Sequence, residues 1–443
     1  MSDYMFMLES HLSAIQNSVV SEVQAGAARA NVNLFLTGGA VRDMLGGFPI
    51  RDLDFTVEGN ALKLARAVAD KGGAKVTAVD EQRRSVDLAF PGGVTAEIAM
   101  ARQERYPRAG GPPVISPGTI QDDLRCRDFT INAIALSLNH ASLGLLLDPT
   151  NGQADLEHRE LRAVHNRVLY DDPARMLRMI RFRVRFGLTV DERTTQQFEN
   201  VRLEGLEKLI APRRLFQELV EIANEASPAD VLQALASEKL LTLFLPPSAC
   251  QKTSHAGFAR LQKARQMLPF GVDVPLNNLP LFLFLLTDGL SPSDKSAFAK
   301  ATAIRKSELD LVAKLQADSR KLERELRSAR VTKPSHVYKV LVKAPGEQML
   351  FLYLTSAHRQ VQDRIRNHLQ KYLLAAEEIT ERQVVAEGPQ PGTPKFKKLR
   401  EEMILARVDG RTKKAPEPVV EETPAPPPRG GVMTGHARGR QQV

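Results

Sequence analysis

Cysteine is scarce, with Cys126 and Cys250 the only two in a chain of 443 residues. They form no zinc-ligand pattern and offer no framework for a disulfide-stapled secreted scaffold. Long apolar runs are also missing. No stretch of about 18 consecutive apolar residues occurs, which argues against a membrane-spanning helix. The opening residues, MSDYMFMLESHLS, carry no basic segment leading into an apolar one, so no secretory leader is expected there. The expectation is a soluble, cytoplasmic protein with no membrane contact. Positive charge, by contrast, is in excess: 61 Lys and Arg against 52 Asp and Glu give a net charge of +9. That balance favours a polyanionic partner but does not by itself separate nucleic acid from a membrane surface. The length allows several domains with sizeable cores.

Strand and helix signals alternate in the first third of the chain. Residues 1 to about 30 read as helical, an Ala/Leu-rich helix follows Asn60, and apolar runs at Ala74 to Val79, Val86 to Phe90 and Val94 to Met100 read as strands. This pattern predicts an α/β head over residues 1–165. Strand signals then nearly vanish. Amphipathic segments follow one another, broken at Ala211-Pro212, Ser227-Pro228, Pro246-Pro247 and Ser291-Pro292-Ser293. They predict a helical neck over 166–225, a helical body over 226–360 and a helical tail over 361–414. Residues 415–443 are rich in Pro, Gly, Glu and Arg, with few large apolar side chains to offset their ordering entropy, and are expected to be disordered.

The most informative stretch is Leu36 to Val57, LTGGAVRDMLGGFPIRDLDFTV. Gly38 and Gly39 end a short apolar segment where Ala40 to Leu45 can start a helix, so backbone amides at that turn face any anion placed there. Arg42 adds a planar charged fork. The next predicted strand alternates, so Asp52 and Asp54 emerge on one face while Leu53 and Phe55 turn inward. Paired carboxylates can hold Mg²⁺, which bridges phosphate oxygens and activates an attacking one. A glycine pair alone is usually a turn, and an Asp-x-Asp alone is usually solvated. Their order and spacing within 17 positions point instead to nucleotidyl or phosphoryl transfer. Glu97 lies on a strand that can pair beside that of Asp52 and is a candidate third carboxylate, or a solvated edge residue.

Two further constellations follow. In Asp122 to Ala133 (DDLRCRDFTINA), Asp128 and Asn132 are four apart and would share a helix face, with Arg127 at the helix start to meet a triphosphate or ribose. A capping aspartate beside a solvated arginine would look the same. In Asp171 to Phe182, Asp172-Pro173 predicts a helix start. Arg175, Arg178 and Arg181 then recur every three residues as one basic stripe. A solvated charged face is the plain alternative. The sharper reading uses the chemistry of the groups: Asp172 accepts and Arg175 donates, so together they can address the Watson–Crick edge of a base, leaving Arg178 and Arg181 for phosphates. Between these stretches, Glu104 to Gly118 (ERYPRAGGPPVISPG) is expected to be a surface loop, and the family resemblance set out below implies that it moves on binding.

Taken together, Leu36 to Val57, Arg127 to Ala133 and Asp171 to Phe182 closely resemble the signatures of the class II tRNA nucleotidyltransferase and bacterial poly(A) polymerase superfamily. The resemblance implies a polymerase-beta-like α/β nucleotidyltransferase head followed by an all-helical neck, body and tail. It implies Asp52 and Asp54 as catalytic, Mg²⁺-holding residues. It also implies that Gly38, Gly39, Arg42, Arg127, Asp128, Asn132, Asp172, Arg175, Arg178 and Arg181 bind nucleotide. CTP and ATP would be substrates and tRNA the acceptor, with no protein partner expected. Cys126 stands where the family's motif has arginine, and Asp171 where it usually has glutamate. A weaker match, Arg213 to Leu219, corresponds to a neck motif, with Arg213 in the place of its first glutamate, and Gly388 to Gly410 is similar to the family's tail. The expected activity is CCA addition to tRNA. The rivals are poly(A) polymerase, whose usual Gly-Arg-Arg cue is absent from Glu81 to Asp87, an enzyme adding only CC or only A, and a catalytically silent RNA-binding protein.

Overall fold

The structure is a computed structural model that describes residues 3–410 apart from 252 and 273. The segment 415–443, expected to be disordered, lies outside the described residues. Helices α1 (Asp3–His11) and α2 (Ala14–Ala30) lead in, the second started by a capping box between Ser13 and Gln16. Asn31, at φ 52°, ends α2 in the left-handed conformation that asparagine tolerates. The chain then enters β1 (Asn33–Thr37), turns into α3 (Gly39–Leu45) and returns as β2 (Leu53–Glu58). Next come α4 (Ala61–Gly72), β3 (Lys75–Asp80), β4 (Ser85–Ala89) and β5 (Thr95–Met100).

Within the described residues these strands form a seven-stranded sheet, ordered β3-β4-β5-β2-β1-β8-β9. Here β8 is Ala135–Ser137 and β9 is Leu146–Leu147. Every pairing is antiparallel except β2 with β5. That parallel pair requires a crossover, and α4 supplies its helix, packing Leu64, Ala65 and Val68 with Leu53, Phe55, Val57 and Ile98 of the two strands. On the opposite face Phe35 and Ala135 pack with Ile120 and Leu124 of α5 (Ile120–Arg125). Period-two alternation therefore puts apolar side chains of β2 in the core and turns Asp54 outward.

Between β5 and α5, the expected loop is instead a β-hairpin, β6 (Arg102–Arg105) with β7 (Val114–Pro117). Glu104 opposes Ile115 and Gln103 opposes Ser116, and Val114 and Ile115 suit an extended strand. At its tip the Gly110 amide donates to the carbonyls of Tyr170 (3.3 Å) and Asp171 (3.2 Å). A second expectation also changes. Asp128 to Asn132 is not an α-helix, because α5 has already ended and Phe129 is extended, bridged to Ala163. Only Thr130 to Asn132 curl, as a 3₁₀ turn.

The chain continues through α6 (Gly152–Glu157), β10 (Glu160–Leu161), α7 (Val168–Asp171), α8 (Arg175–Phe186), β11 (Thr189–Val190), α9 (Glu192–Leu203), α10 (Pro212–Asn224) and α11 (Pro228–Ser237). Beyond Pro228 the regular elements are helical, through to Pro394–Val408. One hydrophobic cluster runs from Phe129 to Val408, separate from the head cluster, and Ile379, Val384 and Phe396 form a small one of their own. Among the described residues no helix is long and apolar enough to cross a membrane.

In this helical half His368 opens a π-helical turn, fully buried, 5.6 Å from the Tyr338 ring, with neither ring nitrogen hydrogen-bonded. Burial pushes its pKa down to about 4. The fold thus holds a neutral imidazole, whereas the unfolded chain takes up the proton below its ordinary value, so stability is lost as pH falls from the unfolded to the folded pKa. We predict that denaturant titrations show a loss of up to about 3 kcal/mol across this window, and that His368→Phe flattens the profile.

Candidate active site

The parallel register of β2 and β5 sets Asp54 directly opposite Glu97, and the antiparallel register of β4 and β5 sets Asp87 on the other side of Glu97. Asp52, one residue before β2, accepts a hydrogen bond from Thr95 Oγ at 3.0 Å. The carboxylates of Asp52, Asp54 and Glu97 therefore belong to one face of two adjacent strands. Burial, then Glu97 and Asp52, push the Asp54 carboxyl up to about 7, against the opposing pull of Arg127 and Arg42. Burial and Glu97 also raise Asp87.

This surplus of negative charge suits a divalent cation. Among the described residues no three His, Cys, Asp or Glu side chains converge as a ready-made metal cluster. Mg²⁺ does not need one, because it is commonly held by one or two carboxylates plus waters and substrate phosphates. Asp52 and Asp54 fit that mode, with Glu97 beside them.

The glycine turn closes over Asp54. At φ 61° and ψ −122°, Gly38 adopts a backbone conformation closed to ordinary side chains. A methyl group there would meet Arg127 Nη1 at 2.6 Å and Asp54 Oδ2 at 3.5 Å, and one on Gly39 would meet Asp54 Oδ2 at 3.4 Å. Arg127, just past α5, is held by Asp123 (2.9 Å) and reaches Thr56 Oγ (3.3 Å) on β2. Carboxylate, glycine backbone and guanidinium are thus packed together, while the Gly38 amide, expected to face an anion, donates instead to the Ile134 carbonyl at 3.3 Å.

Arg42 has different neighbours from those expected. Its fork donates to Asn132 Oδ1 (2.6 Å) and Asp43 Oδ1 (2.9 Å), and its face covers the Phe186 ring at 4.5 Å. It is buried behind the turn. Asn132 Nδ2 donates in turn to Asp128 Oδ1 (2.9 Å), so the two residues meet without sharing a helix. Asp128 Oδ2 accepts from Arg178 Nη1 at 2.9 Å. Burial alone would raise the Asp128 carboxyl, but Arg178 and Arg175 outweigh it and hold it well below the usual range.

At the start of α8, Asp172 caps the Ala174 amide (3.1 Å), while the regular helix begins at Arg175. The other Asp172 oxygen accepts from Arg214 Nη2 at 2.8 Å. Arg175 donates to the Cys126 carbonyl (3.1 Å), lies 3.8 Å from Glu104 Oε2 and sits beside the Tyr106 ring. The hairpin therefore borders the Asp172–Arg175 pair. Arg178 keeps a side chain that is 41% exposed.

Arg181 corrects the basic-stripe reading. It is buried and bonded to Glu218 (2.6 Å) and Glu225 (3.0 Å), on and just after α10. Its neighbours explain this: three-residue steps rotate the stripe around the helix, and the third arginine lands on the glutamates of α10. Arg214 was noticed only as part of the Arg213 to Leu219 match, with no role given to it, and Glu104, Asp43 and Arg185 were given none either. The one available signal was that Arg185 lies seven residues, two turns, beyond Arg178.

An α/β head with paired carboxylates under a glycine turn, followed by helices carrying arginines to its rim, is the arrangement of a nucleotidyltransferase. Residues 34–162 match the family model described as the Poly A polymerase head domain. The chain is 31% identical over 340 residues to the A-adding tRNA nucleotidyltransferase of Halalkalibacterium halodurans, spanning 74% of each protein. It is 40% identical over 161 residues to the CC-adding tRNA nucleotidyltransferase of Deinococcus radiodurans, covering 36% of this chain and 43% of that relative. A solved CCA-adding enzyme in its apo form II superposes with a TM-score of 0.55 at 25% identity, covering 93% of this chain and 99% of its own. The chain belongs to the class II tRNA nucleotidyltransferase family. It is an enzyme, and enzymes of this family generally use divalent metal ions.

Because the Asp54 pKa is raised, the folded protein holds a proton that the unfolded chain has already lost, and stability falls as pH rises from about 4 to about 7. We predict that, without added metal, Asp54→Asn raises the melting temperature more at pH 8 than at pH 4. Mg²⁺ should stabilise the parent protein at pH 8 and leave Asp54→Asn unmoved, as thermal melts would show.

Proposed function

We propose that this enzyme adds C and A to the 3′ end of tRNA from CTP and ATP, completing CCA without a nucleic-acid template. The observation that carries the reading is the packing of Asp54 against Gly38 and Gly39, with Glu97 opposite and Arg127 alongside. That constellation suits the transfer of a nucleotide from its triphosphate. In the proposed division of the chain, residues 1–165 perform the chemistry, 166–225 choose the base, and the helical body (226–360) and tail (361–414) carry tRNA.

In this reading the 3′-hydroxyl of tRNA attacks the α-phosphorus of the bound nucleotide in line. A new oxygen–phosphorus bond forms, the bond to the bridging oxygen breaks, and pyrophosphate leaves. Asp52 and Asp54 would hold Mg²⁺, which would supply activation of the hydroxyl and neutralisation of the leaving charge. The Gly38 and Gly39 turn and Arg127 orient the triphosphate. Arg42, Asp128 and Asn132 act one layer behind, as the support for that turn, with Arg178 at the rim.

Base choice follows from donor and acceptor chemistry. Cytosine and adenine each present an exocyclic amino group beside a ring-nitrogen acceptor, whereas uracil and guanine present a carbonyl beside a ring N–H. Asp172 can accept from the amino group and Arg175 can donate to the ring nitrogen, so the pair matches C and A and opposes U and G. Arg214 holds the Asp172 carboxylate toward that task.

A second reading, addition of A alone, is favoured by one observation: the relative matched over three quarters of this chain is an A-adding enzyme. One experiment separates the readings. Purified protein with Mg²⁺ is given tRNAs ending before the first C, after CC, or with full CCA, with CTP and ATP singly and together, and the products are sequenced. CCA ends on both truncated tRNAs are expected, with no growth beyond CCA. Addition only to the CC-ended tRNA supports the second reading, and long adenylate tails on unrelated RNA would contradict both. Asp52→Ala is predicted to lower the rate by at least about a hundredfold while nucleotide still binds.

A further inference from the structure

Ten residues along α8 from Arg175, at the opposite end of the helix, Arg185 reaches back to the head. Its Nη2 lies 3.2 Å from Asp43 Oδ2, while the other Asp43 oxygen holds Arg42 at 2.7 Å. Arg42 donates to Asn132, Asn132 to Asp128, and Asp128 accepts from Arg178. The links close a circuit: two arginines two turns apart on α8 grip the same group of head residues, which sits directly behind the Gly38 and Gly39 turn.

We propose that Arg185 and Asp43 are positioning residues for nucleotide transfer, fixing the angle of α8 so that the base-choosing pair at its first turn stays in register with the carboxylates of the head. The inference rests on the function proposed above. Geometry gives it force. Ten helical residues span about 15 Å, so a tilt of about 4° at the Arg185 end moves Arg175 by about 1 Å. A displacement of that size is enough to cost about a hundredfold in rate.

The joint depends on charge more than on packing. Beside Arg185 lies a cavity of about 240 Å³, lined by Phe48, Arg51, Val184, Phe186 and Glu225. Apolar contact therefore covers the joint only in part, chiefly where the Phe48 and Phe186 rings meet at 5.0 Å. Asp43 is buried, and its single carboxylate lies between two guanidiniums. Burial, then the nearby Arg42, push Arg185 down to about 10, while Asp43 and Glu225 pull the other way. If Arg185 is removed, Asp43 keeps Arg42 as a partner, so the fold should survive. If Asp43 is removed, two like charges face each other. The informative variant is therefore Arg185→Gln.

The test uses the full chain. For the parent, Arg185→Gln, Arg185→Lys and Arg183→Gln, steady-state CTP and ATP addition to truncated tRNA is measured beside thermal melts and amide exchange. Arg183 lies on the same helix but pairs with Glu238, away from the joint, and serves as the control. Arg185→Gln should lower kcat about tenfold with KM for nucleotide changed less than about twofold, while the melting temperature moves little. Exchange in Ala40 to Leu45 should quicken, Arg185→Lys should recover part of the rate, and Arg183→Gln should match the parent. An unchanged kcat and unchanged exchange in Arg185→Gln would overturn the proposal. So would a rate loss that only tracks the fraction of folded protein, or one that Arg183→Gln shares. If the parent itself transfers no nucleotide, the proposed function fails, and the exchange measurement still judges the joint.

Discussion

The grip of helix α8 on the head is the contact on which the rest of the molecule turns. Arg178 meets Asp128, Arg185 meets Asp43, and Arg181 is sunk among the glutamates of α10. Burying guanidiniums is expensive, and leaving a buried charge with no partner typically costs about 3–5 kcal/mol, a loss that Asp43 avoids by holding Arg42 as well as Arg185. A helix with this many compensated charges therefore has few alternative seats. The same helix carries Arg175 at its first turn, so whatever fixes α8 on the head also fixes the distance between Arg175 and the head carboxylates.

The head has its own constraint. A parallel β2–β5 pair places Asp54 opposite Glu97, and the glycine turn presses on Asp54 from above. Without a cation this arrangement is uncomfortable, which is why burial and neighbouring carboxylates lift Asp54 to about 7. Fold stability and function pull in opposite directions here, as is usual where a site must wait for its ligand. Gly38 makes the same point in steric terms: its left-handed backbone and the guanidinium of Arg127 leave no room for a side chain.

Much of this was legible in the sequence. Alternation in DLDFTV foretold which β2 side chains face the core, the glycine pair fell where α3 begins, and Asp172-Pro173 fell at the start of α8. What failed was judgement of partners. Four-residue spacing put Asp128 and Asn132 on a helix, but Phe129 is claimed by a bridge to Ala163, a contact with no local signature. The Pro- and Gly-rich segment after Glu104 read as a loop because its pairing strands are only four residues each. Arg42 and Arg181 read as phosphate ligands because the sequence shows a charge but not the carboxylates that meet it from 1 to 44 positions away. The partners of Arg214 and Arg185, Asp172 and Asp43, were hidden for the same reason.

The central claim is that bond making resides at Asp52 and Asp54, while the choice of base resides at Asp172 and Arg175. The most direct measurement is the spectrum of nucleotides added to a truncated tRNA by Asp172→Ala when all four triphosphates are present. The account predicts continued transfer with C and A no longer preferred over U and G. Strict retention of C and A, or equal loss of transfer with all four nucleotides in a folded protein, would contradict it.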